Sequence, residues 1–223
     1  MNFNDIEVYK DFTLEIGLNE ITCIIGPSGC GKTSILNVVS GLNKNYKGEV
    51  NINSMDVGYI FQEDRLLPWE TVYNNVSIVK SNNKKKIMEI LKDLELYEFK
   101  DKYPHELSGG LRQRCSLARG FYFNPKVLLM DEPYKSLDYD LKISLINYLT
   151  NLWKKNKNTI IFVTHDIDEA LLLGNKIVVL SKRPTRILKE FFVNTSIEIR
   201  NINTAEHNEI RKEIINLLTK KGF

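Results

Sequence analysis

The segment GPSGCGKT, residues 26–33, constrains the fold of this chain more than any other stretch. It fits the pattern G-x-x-x-x-G-K-[ST], follows the apolar run ITCII and precedes a helical pattern, which is the context that such a loop requires. Its glycines let the backbone turn so that several N–H groups face one anion, and the N-terminus of the following helix adds a partial positive charge. The segment therefore predicts a phosphate-binding loop between a strand and a helix.

The residues of this loop have distinct expected tasks. Lys32 can reach the β- and γ-phosphates of a nucleotide, and the Thr33 hydroxyl can bind Mg²⁺. By itself the loop fits a transporter cassette, a kinase, a GTPase or a DNA-repair ATPase. Cys30 is more simply explained as a tolerated small residue than as a redox switch. The loop residues that we expect at the nucleotide are Gly26, Pro27, Ser28, Gly29, Cys30, Gly31, Lys32, Thr33 and Ser34.

Short, almost continuously apolar runs predict strands that are covered on both faces, as in a parallel sheet between helices. These runs are residues 21–25, 57–61, 126–130, 159–163 and 176–180, with an edge strand expected at 186–193. Helical periodicity places apolar residues on one face in four further segments: Ile35, Val38, Val39 and Leu42; Ile87, Leu91 and Leu94; Leu141, Leu145, Leu149 and Leu152 or Trp153; and Ile210, Ile214 and Leu217 or Leu218. Gly41 is the expected end of the first of these helices. The alternation of strands and helices predicts an α/β fold.

The composition limits the partners of the chain. Its 223 residues, 43% of them hydrophobic, suit one sizeable domain with a small subdomain. A net charge of +3, from 31 basic and 28 acidic residues, gives no argument for nucleic acid binding. No apolar run approaches the roughly 18 residues that span a bilayer, so we expect any membrane role to be peripheral. Three cysteines without a spacing pattern fit a reduced, cytosolic protein.

Polar side chains follow three of the predicted strands. Asp131 and Glu132 end the run KVLLMDE and so lie at the carboxyl end of a predicted strand. Open α/β sheets bind their ligands at the carboxyl ends of strands. There Asp131 would face the Mg²⁺ and Glu132 could orient or deprotonate an attacking water; the alternative is a turn with two exposed acids. Gln62 can bind metal or water. A lone histidine is more often structural, but the position of His165 at a strand end favours a contact with the γ-phosphate.

Together these motifs resemble, over nearly the whole chain, those of the ATP-binding-cassette (ABC) ATPases. In the family's order, the resemblance implies a Walker A loop at 26–33, a Q-loop at Gln62, a signature at 107–114, a Walker B strand at 127–133, a D-loop at 136–138 and an H-loop at His165. The stretches FQEDRLLPWETVYNNV and YPHELSGGLRQR are similar to those of importer ATPases for nitrate, sulfonates and taurine. Related cassettes serve the uptake of bicarbonate and thiamine precursors.

The resemblance implies one ABC domain over residues 1–223. Its mostly parallel, helix-flanked RecA-like core would comprise residues 1–75 and 124–195, with a helical signature subdomain at 76–123 and a C-terminal helix at 204–221. We also expect a reduced antiparallel β subdomain. The family's adenine-stacking aromatic corresponds to Phe3, with Tyr9 as the alternative, and the strand that usually precedes it is expected to be absent.

In the family, two cassettes pack head to tail, so the resemblance implies a second copy of this chain as a partner. ATP closes that dimer and hydrolysis releases it. The residues that would contact the partner's ATP are Ser108, Gly109, Gly110 and Asp138. The catalytic residues would be Glu132, His165, Gln62 and Lys32, and the Mg²⁺ ligands Thr33, Gln62 and Asp131.

The importer resemblance also implies a membrane permease, bound through residues 65–72, and indirectly a solute-binding protein. The chain would then act at the cytoplasmic face of the membrane. DNA-repair cassettes carry a coiled-coil insertion, and no heptads occur here. Ribosome-acting cassettes occur as pairs in one chain, whereas this sequence has one cassette. A non-hydrolysing regulatory cassette is disfavoured because Lys32, Glu132 and His165 are all present. The D-loop departs from the importer pattern at Tyr134 and Lys135, where Phe-Gly is usual.

Overall fold

The structure of the chain is a computed structural model that describes residues 2–3, 6–9, 12–52, 56–135, 137–197 and 200–219, without the side chains of 2, 3, 6 and 7. Its strands are β1 Asn2–Phe3, β2 Ile6–Glu7, β3 Ile21–Ile25, β4 Val57–Ile60, β5 Val127–Asp131, β6 Thr159–Thr164, β7 Lys176–Leu180 and β8 Ile187–Phe192. Its α-helices are α1 Lys32–Val39, α2 Val72–Ser77, α3 Lys84–Asp93, α4 Gly109–Phe123, α5 Tyr139–Asn156, α6 Ile167–Leu173 and α7 Ala205–Thr219.

The chain divides into two units, which are described separately. The first comprises Met1–Met55 and Lys157–Phe223, and the second comprises Asp56–Asn156. Our predicted division into a core, a helical subdomain and a C-terminal helix uses other boundaries and stays a prediction.

The first unit is built on a mostly parallel sheet. Strand β3 lies between β6 and β7 and is parallel to both, whereas β8 pairs antiparallel with β7. Every residue of β3, β6 and β7 is buried, as continuous apolar runs predict for strands covered on both faces. The two-residue strands β1 and β2 form a separate antiparallel pair.

The C-terminal helix α7 completes the first unit and packs against α6. Its residues Ile210 and Ile214 are buried. The guanidinium of Arg200 donates to the carbonyl oxygens of Gly174 at 2.8 Å and Thr195 at 3.0 Å, which secures the segment that leads into the helix.

The second unit contains the parallel pair β4 and β5 and four of the helices. Helix α4 packs against α2, α3 and β4. Its residues Leu117 and Phe121 are buried, as is Leu91 of α3. Among the described residues, no helix is both long and apolar enough to cross a membrane.

The predicted end of α1 at Gly41 is confirmed, but one position of its predicted apolar face is wrong. Helix α1 ends at Val39, and Gly41 follows with a φ of +73°, the left-handed conformation that commonly terminates a helix. Leu42 therefore lies beyond the helix and is 61% exposed, instead of continuing the buried face. The strand ends differ from the predictions by no more than one residue, as at Ile60 and Asp131.

Candidate functional site

The phosphate loop connects β3 to α1 in the first unit. Gly29 and Gly31 have φ angles of +78° and +107°, which non-glycine residues rarely adopt. A Cβ on Gly26 would lie 2.9 Å from the Cys30 sulfur and 3.0 Å from the Leu180 Cβ, so no side chain fits there. These glycines allow the compact turn that an anion-binding loop needs.

Lys32 begins helix α1 with its side chain buried. Its ammonium donates to the carbonyl oxygens of Gly26 at 2.8 Å and Pro27 at 3.1 Å, so the loop's own backbone places the charge. The neighbouring Thr33 is exposed, as is Ser28 at the tip of the loop. The Thr33 hydroxyl is therefore accessible as an oxygen ligand, the type that Mg²⁺ prefers.

His165 leaves the sheet beside this loop. In the register of β3 with β6, Ile25 lies opposite Thr164, so Gly26 and His165 follow directly at the same end of two neighbouring strands. His165 is exposed. The carboxylate of Asp166 caps α6 by accepting from the backbone N–H of Asp168 at 2.9 Å, which fixes the chain just after His165.

Cys30 packs inside the loop as a neutral side chain. It is buried, and burial raises the pKa of its thiol even though the nearby Lys32 charge acts in the opposite direction. A thiol of this kind is inert, because the thiolate is the reactive form. These observations favour the interpretation of Cys30 as a packing residue over that of a redox switch.

The aromatic candidates for adenine stacking differ in their surroundings. The Tyr9 hydroxyl donates to the carbonyl oxygen of Gly31, and its ring lies 4.8 Å from that of Phe12. The Phe3 side chain lies outside the described residues, so adenine stacking by Phe3 stays a prediction.

The acidic strand end lies in the second unit. Asp131 is the last residue of β5 and is buried. The Tyr59 hydroxyl is hydrogen-bonded to Asp131, and burial followed by the charge of Asp131 raises the pKa of Tyr59, which keeps the phenol protonated. Glu132 follows with a φ of +43° and has a largely buried side chain. Its carboxylate lies 3.1 Å from the Lys135 ammonium.

The signature turn opens helix α4 in the same unit. Ser108 caps the helix, its hydroxyl accepting from the Leu111 N–H at 3.3 Å, and both Ser108 and Gly109 are exposed. A Cβ on Gly110 would meet no atom closer than Leu137 Cδ2 at 4.0 Å. The turn thus presents a hydroxyl and a helix N-terminus at the surface, as binding of an anion from another molecule requires.

The Q-loop segment is tied to the signature helix. Gln62 is exposed just beyond β4. Two residues later, the Asp64 carboxylate accepts from Arg112 Nε at 2.9 Å. Arg119 donates to the carbonyl oxygens of Asp64 at 3.1 Å and Arg65 at 3.0 Å. Two of the arginines of α4, Arg112 and Arg119, therefore hold the chain that follows Gln62.

Asp138, the predicted D-loop residue at a dimer seam, is exposed and caps α5. Its carboxylate accepts from the Leu141 N–H at 3.0 Å. This capping of α5 is by itself a structural reason for an aspartate at position 138. Its contact with a partner's nucleotide stays a prediction.

The segment predicted to bind a permease is held by one buried amide. Asn75 is fully buried, accepts from the Leu67 N–H at 2.8 Å, and donates to the carbonyl oxygens of Glu70 and Thr71, each at 3.0 Å. The loop closed in this way presents Trp69, which is 68% exposed.

An ABC transporter family model matches residues 9–135. The chain belongs to the ABC transporter family. An aliphatic sulfonates import ATP-binding protein, SsuB of Bacillus cereus, is 38% identical over 221 residues, covering 94% of this chain and 88% of that protein.

Solved structures agree with this assignment. The dimeric structure of MJ0796, a bacterial ABC transporter cassette, has a TM-score of 0.76 and 29% identity, covering 85% of this chain and 92% of that chain. A dimeric post-hydrolysis state of the same cassette, bound to ADP and Pi, has a TM-score of 0.76, 30% identity and the same coverage. The predicted ABC ATPase family and its α/β cassette fold are confirmed.

Sequence reasoning singled out the loop, strand-end and signature residues but missed several that support them. These are Thr185 at the phosphate loop, Asp64 and Arg119 behind the Q-loop, and Asn75 under Trp69. Tyr9 was named only as an alternative for adenine stacking, and its hydrogen bond to the loop was not predicted. Lys135 was noted only as a departure from the importer pattern, and its ion pair with Glu132 was not predicted.

Proposed function

We propose that this chain is the ATP-binding and ATP-hydrolysing subunit of an ABC importer, and that it powers the uptake of a small solute through a membrane permease. The observation that carries the proposal is the phosphate loop, with Lys32 held over its start and His165 leaving the neighbouring strand at the same end of the sheet. This arrangement suits a nucleotide whose phosphates meet backbone N–H groups, one ammonium and one imidazole.

Each candidate site residue would have one task in hydrolysis. The loop residues and Lys32 would bind the β- and γ-phosphates, and His165 would contact the γ-phosphate. Glu132 would orient and deprotonate the attacking water. When bound, Mg²⁺ would neutralise phosphate charge; the exposed Thr33 hydroxyl, the Asp131 carboxylate and the Gln62 amide offer the oxygen ligands that it prefers.

A second copy of the chain would complete the site. The capped, exposed turn at Ser108 and Gly109 suits binding of the γ-phosphate held by a partner's loop. The related MJ0796 cassette forms a dimer and supports this assembly. ATP would then stabilise the closed dimer and hydrolysis would release it, so the isolated monomer would hydrolyse ATP poorly.

The transport partners follow from the importer relatives. The SsuB name favours an aliphatic sulfonate as the solute class, with nitrate, taurine, bicarbonate or a thiamine precursor as the alternatives. The loop around Trp69 offers an apolar anchor for a short helix of the permease. A solute-binding protein would deliver the solute outside, and this chain would lie at the cytoplasmic face of the membrane.

Two variants test the proposal with the full chain. Glu132→Gln should hydrolyse little ATP and accumulate as an ATP-bound dimer, measured by light scattering after size exclusion; a variant that stays monomeric at saturating ATP and Mg²⁺ would contradict the dimer mechanism. Lys32→Ala should lose most ATP affinity in calorimetry, whereas Lys44→Ala, at an exposed position of the same unit, should bind normally. Equal affinity in both would refute the loop assignment.

A further inference from the structure

Two hydroxyl groups that have no task in the proposed mechanism hold the carbonyl side of the phosphate loop. Tyr9 donates its phenolic hydrogen to the carbonyl oxygen of Gly31, and Thr185 donates to the carbonyl oxygen of Cys30 at 2.5 Å. Thr185, Cys30 and Gly31 are all buried. In such an environment a hydrogen bond strongly fixes the orientation of its acceptor, because the bond is not exchanged for one to water. The Gly31 carbonyl oxygen also accepts from the backbone N–H of Ile35 at 3.1 Å, so the Tyr9 hydroxyl is its second donor.

The two donors belong to one support of the loop, formed by Val8 and Tyr9 on one segment and Thr185 on another. The backbone N–H of Thr185 donates to the carbonyl oxygen of Val8 at 2.8 Å, and Tyr9 forms a parallel bridge with Thr185. The support lies directly against the loop, since a Cβ added to Gly31 would collide with the Tyr9 hydroxyl and approach Val8 Cγ1 to 2.9 Å. Two segments distant in sequence therefore meet under the same turn.

Fixing a carbonyl also fixes the next N–H. A trans peptide unit is planar, so its C=O and N–H groups point in opposite directions. The bond to the Gly31 carbonyl thus orients the N–H of Lys32, and the bond to the Cys30 carbonyl orients the N–H of Gly31. Gly31 has a φ of +107° and the conformational freedom of glycine, so its orientation has to come from such contacts.

We propose that Tyr9 and Thr185 are positioning residues of the phosphate loop, which anchor two carbonyl groups so that the opposite N–H groups are preorganised for the phosphates of ATP. The inference rests on the proposed function of the loop. Burial, and then the neighbouring Cys30, raise the pKa of the Tyr9 hydroxyl, so the phenol stays a donor at neutral pH. Neither residue touches the reacting atoms.

The test compares single-hydroxyl deletions in the full chain. Tyr9→Phe and Thr185→Val each remove one anchor, and Thr185→Ser keeps the hydroxyl. Tyr73→Phe and Thr219→Val are matched controls, because they remove hydroxyls whose hydrogen bonds lie elsewhere. Calorimetry gives the Kd for ATP with Mg²⁺, displacement by inorganic triphosphate gives the phosphate component alone, and steady-state assays give kcat and KM.

We expect each deletion to raise the ATP Kd about three- to tenfold, as the loss of one buried hydrogen bond predicts. Triphosphate affinity should fall by the same factor, and KM should change more than kcat. Thr185→Ser should bind ATP within about twofold of the unaltered chain, since it keeps the donor. Thermal unfolding, measured in parallel, confirms that every variant is folded at the assay temperature.

The outcomes separate this inference from the proposed function. If Tyr9→Phe and Thr185→Val bind ATP as tightly as the two controls while Lys32→Ala does not bind, the positioning role is wrong and the loop assignment stands. A loss that Thr185→Ser fails to repair also overturns the positioning role. If Lys32→Ala binds ATP normally, the proposed function itself is refuted.

Discussion

Lys135 restrains the proposed catalytic base, and its removal should accelerate hydrolysis. Its ammonium lies 3.1 Å from the Glu132 carboxylate, with the lysine side chain 50% and the glutamate side chain 14% exposed. The backbone N–H of Lys135 also donates to the Glu132 carbonyl oxygen at 3.3 Å, so both ends of the pair belong to one turn. We expect the proposed role of Glu132 towards an attacking water to weaken this contact.

The expected magnitude follows from the exposure of the pair. A half-exposed ion pair contributes about 0.2–1 kcal/mol. If that interaction is lost on the way to the transition state, Lys135→Met should raise kcat about 1.4- to 5-fold. The KM for ATP should change little, because Lys135 lies outside the phosphate loop. Lys135→Arg keeps the charge and should behave like the unaltered chain.

The assay is phosphate release at saturating ATP across a series of salt concentrations. The ratio of kcat between Lys135→Met and the unaltered chain should fall as salt screens the pair. Lys126→Met, at an exposed lysine of the same unit, controls for the general loss of one charge. An unchanged or lower kcat for Lys135→Met, or an equal rise for Lys126→Met, would refute the restraint.

Three further predictions concern other parts of the chain. Asn75→Ala should lower the free energy of unfolding by at least about 2 kcal/mol in urea titrations, because it removes the hydrogen bonds of a fully buried amide to the Leu67 N–H and the Glu70 and Thr71 carbonyl oxygens. The exposed neighbour Asn74→Ala should cost less than about 1 kcal/mol. His207 is fully buried, and burial lowers its pKa, so stability is fully present above about pH 6.5 and falls as the pH drops below it. The Tm of His207→Leu should therefore depend less on pH between about 7.5 and 5, measured by scanning fluorimetry. Trp69→Ala should keep the isolated ATPase rate but lose stimulation by a reconstituted permease; full stimulation would count against the apolar anchor.

The strands were the most predictable part of the fold. A continuous apolar run between turn residues leaves little freedom, and β3 and β7 have the predicted bounds. At the end of α1 two signals conflicted: Gly41 predicted the end of the helix, which is confirmed, whereas Leu42 keeps the helical spacing although the left-handed Gly41 has already ended the helix. Periodicity records which faces are apolar and not where the backbone changes direction.

The supporting residues of the site were not predictable in the same way. The phosphate loop and the acidic strand end are local motifs, so their residue types stand next to each other in the chain. Tyr9 and Thr185 are far apart in sequence, and only the folded chain brings both hydroxyls under one turn. Asn75 resembles an ordinary polar residue near a helix start, and its burial depends on the loop that folds over it.

The signature helix carries both kinds of residue, those of the local motif and those that support the site. Arg112 and Arg119 hold the Asp64 segment, and Arg114 contacts Glu95 at 2.8 Å. The proposed binding of a phosphate by this turn would therefore rest on the Ser108 hydroxyl, the backbone N–H groups and the helix dipole. Arg112 and Arg119 instead connect the Q-loop segment to the signature helix of the same chain, so a displacement of that segment would have to break or carry these hydrogen bonds.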